Sequence, residues 1–293
     1  MPPRPRPLKA AQDACGDWLD GLRCVELTRV RAGRASGCDD RVACEEPLEI
    51  RVAGAALVVT MRTPGHDEEL ALGFLLSEGV VQSAADVTAI RHCSAVSDPD
   101  AEDNVLQVTL RPDVRVELQR FRRNFQATSS CGVCGKTSIE AALRSAPPLE
   151  DLTRFTTDFF APLPERMRAA QTLFSHTGGL HGAALFAADG ALLVAREDIG
   201  RHNAVDKVIG WAAADRRMPL AGTCLLVSGR ISYEIAQKAL AARIPVVAAV
   251  SAPSSLAVEL AERARLTLVG FLRDGAMNVY GYRDRVVSRG SVR

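Results

Sequence analysis

The sequence predicts an α/β protein, α+β over its whole length, and a contrast between its two halves carries that prediction. From about residue 161 to 285, short apolar runs such as Thr223–Val227, Val246–Val250 and Leu266–Phe271 alternate with stretches that repeat apolar residues every third or fourth position. Continuous apolar strands joined by helices imply a sheet covered on both faces, hence a C-terminal three-layer α/β/α domain. Residues 45 to about 126 instead show short strand-like runs, hairpin signals and one helix, the pattern of a smaller N-terminal α+β domain.

Residues 1–44 are rich in Pro, Arg and Gly and read as a flexible lead-in with one strand around Cys24–Val30. Leu48–Val52 and Ala56–Met61 flank Ala53-Gly54, a hairpin turn signal. Thr63 is predicted to cap a helix with Pro64 at its first position and Asp67, Glu68 and Glu69 in its first turns. Leu72, Leu75 and Leu76 give that helix an apolar face, and Gly79 stops it. Strands are predicted at Val87–His92, Asn104–Leu110 and Val114–Leu118. Residues 127–160 hold a C-x-x-C loop, a short helix and a linker around Pro147 and Pro148.

The second half opens with a predicted helix at Glu165–Ser175 and a hairpin turning at Asp189-Gly190. Strand Leu192–Arg196 feeds a helix with Val205, Val208, Ile209 and Ala212 on one face. Thr223–Val227 feeds a helix carrying Ile235, Ala239 and Leu240, and Val246–Val250 feeds Ser255–Ala264. Ligands of such sheets bind at the carboxyl ends of the strands. Those ends carry "EDIGRHN", "SGRIS" and "SAPSS".

Composition removes several classes. A net charge of +1 gives no global field toward nucleic acid or an acidic membrane surface. No run approaches the ~18 apolar residues of a membrane span, and the start lacks the apolar core of a secretory signal. Eight cysteines scattered over 293 residues are not a disulfide framework, so a reducing cytoplasm is expected and a C-x-x-C is chemical. Of 36 basic residues only Lys9, Lys136, Lys207 and Lys238 are lysine, a bias toward arginine.

The pair is Cys131 and Cys134, in "SSCGVCGK". A zinc site needs four ligands, usually as two close pairs, and no second C-x-x-C exists. His176 and His181 are distant in sequence from any cysteine, so no metal is expected. A thioredoxin-like pair would follow the first strand of a βαβ unit, whereas the preceding region reads antiparallel. Buried, inert cysteines are a third reading, but Ser129, Ser130, Gly132, Gly135 and Lys136 make a polar loop ill suited to a dry core. Thiolates at a helix N-terminus beside a cation have lowered pKa values, and close cysteines can resolve one another.

"REDIGRHNAVDKVIG" crowds Asp198, Arg201, His202, Asn203, Asp206 and Lys207 around Gly200. Each charge alone suits a solvated helix face; together at a sheet edge they suit a phosphate seat. Ser228, Gly229 and Arg230 repeat the theme, and "TGGLHG", with His181, adds backbone donors. None of these is a Walker loop or a G-x-G-x-x-G fingerprint, so the residues by themselves indicate an anionic ligand of nucleotide type.

"EEPLEIRV", "TPGHDEELALGFLLSEGV", "SSCGVCGK", "TGGLHGAAL", "REDIGRHNAVDKVIG", "LLVSGRISYEIAQKAL" and "LVGFLRDGAMNVY" together resemble the formate dehydrogenase accessory sulfurtransferase family, FdhD/NarQ, from about Glu45 to Tyr282. The resemblance implies a cytoplasmic homodimer that takes persulfide sulfur from a cysteine desulfurase. It implies transfer to the bis-molybdopterin guanine dinucleotide cofactor of molybdenum or tungsten, before insertion into formate dehydrogenase. It also implies that the second domain resembles the cytidine deaminase fold. The H-x-E and P-C-x-x-C zinc signature of deaminases is missing, with "RHNAVDK" and "SGRISYE" in its place, so deamination is not expected. By the same resemblance Cys131 is the persulfide cysteine and Cys134 its partner. The segment Gly270, Phe271, Leu272, Arg273, Asp274, Gly275 and Ala276 binds cofactor, and the crevice holds its guanine nucleotide. The alternative is a non-catalytic chaperone that binds the cofactor for formate dehydrogenase.

Overall fold

The computed structural model of the chain describes residues 21–93, 103–116 and 147–288. Its first element corrects an expectation. In place of one strand in a lead-in, β1 (Leu22–Arg31) and β2 (Arg34–Ala43) pair antiparallel along their whole length. Ala32 and Gly33 turn between them, both at positive φ, the geometry that matches the twist of a two-residue hairpin. Neither strand shows a clean apolar alternation, because neither face is fully buried.

β3 (Glu46–Val52) and β4 (Ala55–Arg62) form the predicted hairpin around Ala53-Gly54. With β5 (Val87–His92) and β6 (Val105–Leu110) they make a four-stranded sheet in the order β4-β3-β6-β5, with β3 parallel to β6. Leu48, Ile50, Val52, Leu106 and Val108 pack there against Leu70, Ala71 and Leu75 of helix α1 (Asp67–Ser77). The helix begins later than the sequence suggests, with His66 at its N-cap in the left-handed region. Thr63 does not cap it: the Thr63 hydroxyl donates to the Cys44 carbonyl and its amide to Asp198. The strand expected at Val114–Leu118 is not formed over residues 114–116, and its remainder lies outside the described residues.

In the second half the predicted helix Glu165–Ser175 is two. β7 (Phe155–Thr156) and α2 (Thr157–Phe160) precede α3 (Leu163–Ala170) and α4 (Thr172–Thr177), and Gln171 between the last two leaves the helical region at ψ 81. The Glu197 carboxylate restarts the helix by accepting from the amides of Leu173 and Phe174 at 2.9 and 2.7 Å. There follow β8 (His181–Ala187), β9 (Leu192–Asp198), α5 (Arg201–Ala214), β10 (Thr223–Val227), α6 (Tyr233–Ala241) and β11 (Val246–Ala249). The chain continues with α7 (Ser255–Ala264), β12 (Thr267–Arg273), β13 (Ala276–Gly281) and β14 (Val286–Val287).

The main sheet runs β13-β12-β11-β10-β8-β9, parallel through β10, β11 and β12 and antiparallel at both flanks. Alternate residues along each strand enter two separate cores. Ala183, Leu185, Leu225, Val227, Val247 and Ala249 face α5, α6 and α7. Ala184, Phe186, Cys224, Leu226, Val246 and Ala248 face Phe155, Phe160, Leu163 and Met167. This is a mixed α/β architecture with helical cover on both faces of the large sheet.

α1 of the first half lies directly on α5 of the second. A Cβ on Gly73 would stand 1.8 Å from the Asp206 carbonyl oxygen, and one on Gly210 1.8 Å from that of Glu69. Only glycine at both points lets the two backbones approach this closely. Polar groups seal the rest of the seam. Lys238 donates to Glu78, Ser77 and Asp206 at 2.9–3.0 Å, and Arg196 grips Glu69 through two bonds of 2.6 and 2.8 Å.

Candidate functional site: a crevice at the carboxyl edge of the main sheet

The loop after β10 carries Ser228, Gly229 and Arg230, and the loop after β11 carries Val250 to Ser254. Ile231 N–H donates to the Ala252 carbonyl and Ser254 N–H to that of Ile231, so the two loops are tied side by side. The entry into β8 joins them: Gly182 N–H donates to Ser228 Oγ and Ser228 N–H to the Gly182 carbonyl, both at 2.9 Å. Between these loops and the α3–α4 junction opens a crevice of about 800 Å³. Its lining includes Gln171, Phe174, Leu180, His181, Ser228 and Val250. That size falls within the range of pockets that enclose a small organic ligand.

His181, Ser228, Gly229 and Arg201 are brought together. His181 Nδ1 lies 3.5 Å from where a Cβ on Gly229 would stand, with Arg201 Cδ at 3.9 Å. Burial first, then the Arg201 charge, holds His181 below the usual imidazole pKa. His202 stands behind, its Nε2 3.5 Å from Ser232 Oγ. Burial drives its pKa down to about 3, with Lys238 and Arg201 adding to the effect. Both imidazoles are therefore neutral near pH 7, and the positive charge at this edge belongs to the arginines and the buried lysine. Arg230, in the loop after β10, is exposed.

Asp198, Asn203 and Lys207 are placed elsewhere. Asp198 and Lys207 are 0% and 1% exposed and pair with each other at 2.8 Å. Asp198 also accepts from Thr63 N–H, Gly200 N–H and the Asn203 amide. Lys207 Nζ donates to the Thr63 carbonyl at 2.9 Å, and the Asn203 amide to that of Met61 at 2.8 Å. These three residues join the two halves of the chain and set the start of α5; Asp198 and Lys207 have no exposed surface to offer a ligand.

The segment Gly270–Ala276 sits further along the same edge, where β12 turns into β13. Phe271 N–H donates to the Ser251 carbonyl at 3.0 Å, and Gly270 has no room for a side chain beside Pro253. The strand register breaks between Gly270 and Arg273, with Phe271, Asp274 and Gly275 at positive φ. That irregularity turns Phe271, Arg273, Asp274, Gly275 and Ala276 outward, whereas Leu272 points into the core beside Met277. Cys131 and Cys134 lie outside the described residues. Among the described residues no three His, Cys, Asp or Glu side chains are grouped to hold a metal.

Gln171 and Phe174 are crevice residues that sequence reasoning did not single out. Gln171 sits inside an amphipathic run whose period reads straight through it, so only the observed break exposes its role. No helix among the described residues is long and apolar enough to cross a membrane.

Residues 43–287 match the model of the FdhD/NarQ family. The chain is 54% identical over 264 residues to a sulfur carrier protein FdhD of Mycolicibacterium paratuberculosis, covering 89% of this chain and 97% of that one. It is 51% identical over 271 residues to the sulfur carrier protein FdhD of Streptomyces coelicolor, covering 91% and 96%. A solved chain assigned as a formate dehydrogenase accessory protein from Desulfotalea psychrophila shares the fold, at 24% identity. Its TM-score is 0.73, over 91% of this chain and 100% of that one. With its matched segment spanning most of its length, the chain belongs to the FdhD/NarQ family.

Proposed function

We propose that the chain is a sulfur carrier. It takes sulfane sulfur from a cysteine desulfurase as a persulfide on Cys131 and delivers it to the bis-molybdopterin guanine dinucleotide cofactor of molybdenum or tungsten. Delivery precedes insertion of that cofactor into formate dehydrogenase. The observation that carries this reading is the Cys131–Cys134 pair within the family-matched segment of a chain half identical to relatives named as sulfur carriers.

Sulfur transfer onto Cys131 is an exchange that needs no added oxidant or reductant. The Cys131 thiolate attacks the outer sulfur of the donor persulfide; the donor S–S bond breaks, one forms on Cys131, and the donor leaves as thiolate. Attack by the Cys134 thiolate on the inner sulfur of that persulfide would expel hydrosulfide and close a Cys131–Cys134 disulfide, which a thiol reductant reopens. The crevice backbone at Gly178 and Gly179, with the Arg201 charge beside Gly229, supports the reading that the anionic nucleotide end of the cofactor binds at this edge. The order of the main sheet, with three parallel strands and α5, α6 and α7 on one face, supports the likeness to the cytidine deaminase fold. Action as a cytoplasmic homodimer belongs to the same reading.

Incubation with a desulfurase and cysteine should add about 32 Da to the wild-type chain, the mass of one sulfur. Cys131→Ala should carry none of it. A full adduct on that variant would overturn the assignment. Undiminished activation of formate dehydrogenase by Cys131→Ala would favour the chaperone reading instead.

A further inference from the structure

Helix α4 forms one wall of the crevice. Phe174 lines the opening from within it, and Gly178 and Gly179 line it just beyond. Six residues make too short a helix to hold its place alone, so whatever fixes α4 fixes that wall. Two grips do so. At its start the Glu197 carboxylate accepts from the Leu173 and Phe174 amides. At its far end Arg41 of β2 reaches His176, Nη1 to Nδ1 at 3.1 Å. Arginine only donates, so Nδ1 accepts and the ring proton sits on Nε2.

The β1–β2 hairpin that carries Arg41 is itself anchored. Cys44 N–H donates to the Gly21 carbonyl at 2.8 Å and closes the hairpin base. Gly21 leaves no room for a side chain: a Cβ would stand 3.0 Å from Thr63 Cγ2 and 3.1 Å from Leu173 Cδ1 of α4. The Thr63 hydroxyl donates to the Cys44 carbonyl and its amide to Asp198. The base is thus wedged between α4 and the point where the two halves of the chain meet. Glu197 and Asp198 are neighbours at the end of β9, so the hairpin and the carboxylate bracket α4 from two sides. Arg41 and His176 stand outside the crevice lining.

We infer that Arg41 and His176 are positioning residues: the hairpin sets the place of α4 and thereby the affinity of the crevice for its ligand. This rests on the reading that the crevice takes the nucleotide end of the cofactor. A bond this exposed adds little to global stability. Its loss should therefore appear in binding and in local opening of α4 rather than in unfolding of the whole chain.

Calorimetric titration of the full chain with GDP, together with amide hydrogen exchange over residues 172–178, tests this. His176→Leu removes the acceptor without removing a charge from the bonded pair. It should weaken GDP by about fivefold, within the range carried by residues that act through others. Exchange over residues 172–178 should quicken while the thermal midpoint stays within about 3 °C of wild type. His176→Asn, whose amide oxygen can stand where Nδ1 stood, should restore both. His176→Leu added to Arg41→Leu should weaken GDP no further than Arg41→Leu alone, as one shared bond requires. A His176→Leu variant with wild-type affinity overturns the inference, even where exchange quickens, and so does an asparagine that fails to rescue. Additive losses in the double variant overturn it as well. A wild type that binds no GDP removes the crevice reading, and the inference with it.

Discussion

Glu69 shows how a single side chain links the seam to solution conditions. Burial alone would raise its carboxyl pKa, but the paired bonds from Arg196 and the nearby His66 outweigh it and bring the value from 4.5 to about 2. A carboxylate depressed by folding contributes stability that is complete above the unfolded value and fades as pH falls toward the folded one. Glu69→Gln should therefore destabilise the chain by about 1–3 kcal/mol near pH 7, the range for a hydrogen-bonded charge. The gap between variant and wild type in urea denaturation should narrow between pH 4.5 and about 2. A gap independent of pH would show that the pair does not titrate in this way. Asp206 has the opposite sign: burial lifts it to about 6, against the pull of Lys238, so its cost is present above that pH and fades below it. Lys238 faces two carboxylates, which is why one of them can titrate high while the lysine stays charged.

Helices α1 and α5 meet where neither can carry a side chain. Gly73→Ala or Gly210→Ala would force a methyl into a carbonyl at 1.8 Å, so the helices must separate and the flanking ion pairs with them. Each should lower stability by about 3 kcal/mol or more, read as a lower urea midpoint. Gly37→Ala in β2, with open space around it, should stay within about 0.5 kcal/mol. Equal effects of all three would contradict the close crossing. The elements that sequence reasoning located best were those whose signals are local. The β3–β4 turn at Ala53-Gly54, the Asp189-Gly190 turn and the apolar strands β10 and β11 declare themselves within a few residues. The β1–β2 hairpin did not, because exposed strands lack alternation. The start of α1 was misplaced because Thr63, a good local cap, is taken by Cys44 and Asp198 from distant parts of the chain.

Stacked layers make the molecule one body: the four-stranded sheet, α1, then α5, α6 and α7, then the main sheet and its second cover of α2 and α3. Far-UV circular dichroism and, in a Trp18→Phe background, the fluorescence of Trp211 on α5 should therefore report one coincident urea transition. Two separated transitions would mean that the halves unfold independently. The same coupling explains what the sequence made legible in the site. "EDIGRHNAVDK" is visibly unusual, yet part of its strangeness is structural: Asp198 and Lys207 bind Thr63, while Arg201 reaches Gly229 and His202 lies largely buried behind it. One helix start serves both the seam and the crevice, and no pattern in one dimension separates the two uses. Gln171 was hidden for the converse reason, since a single glutamine in a helical run acquires meaning only from the chain break around it and Gly182 beneath it.

The glycine crossing also limits how such chains can diverge. A first half transplanted from a relative onto this second half would have to meet Gly210, Arg196 and Lys238 as Gly73, Glu69 and Glu78 do here. Chimeras joined between the halves should fold only when these opposing sets arrive as matched partners, so the two halves would be exchanged as a pair rather than singly.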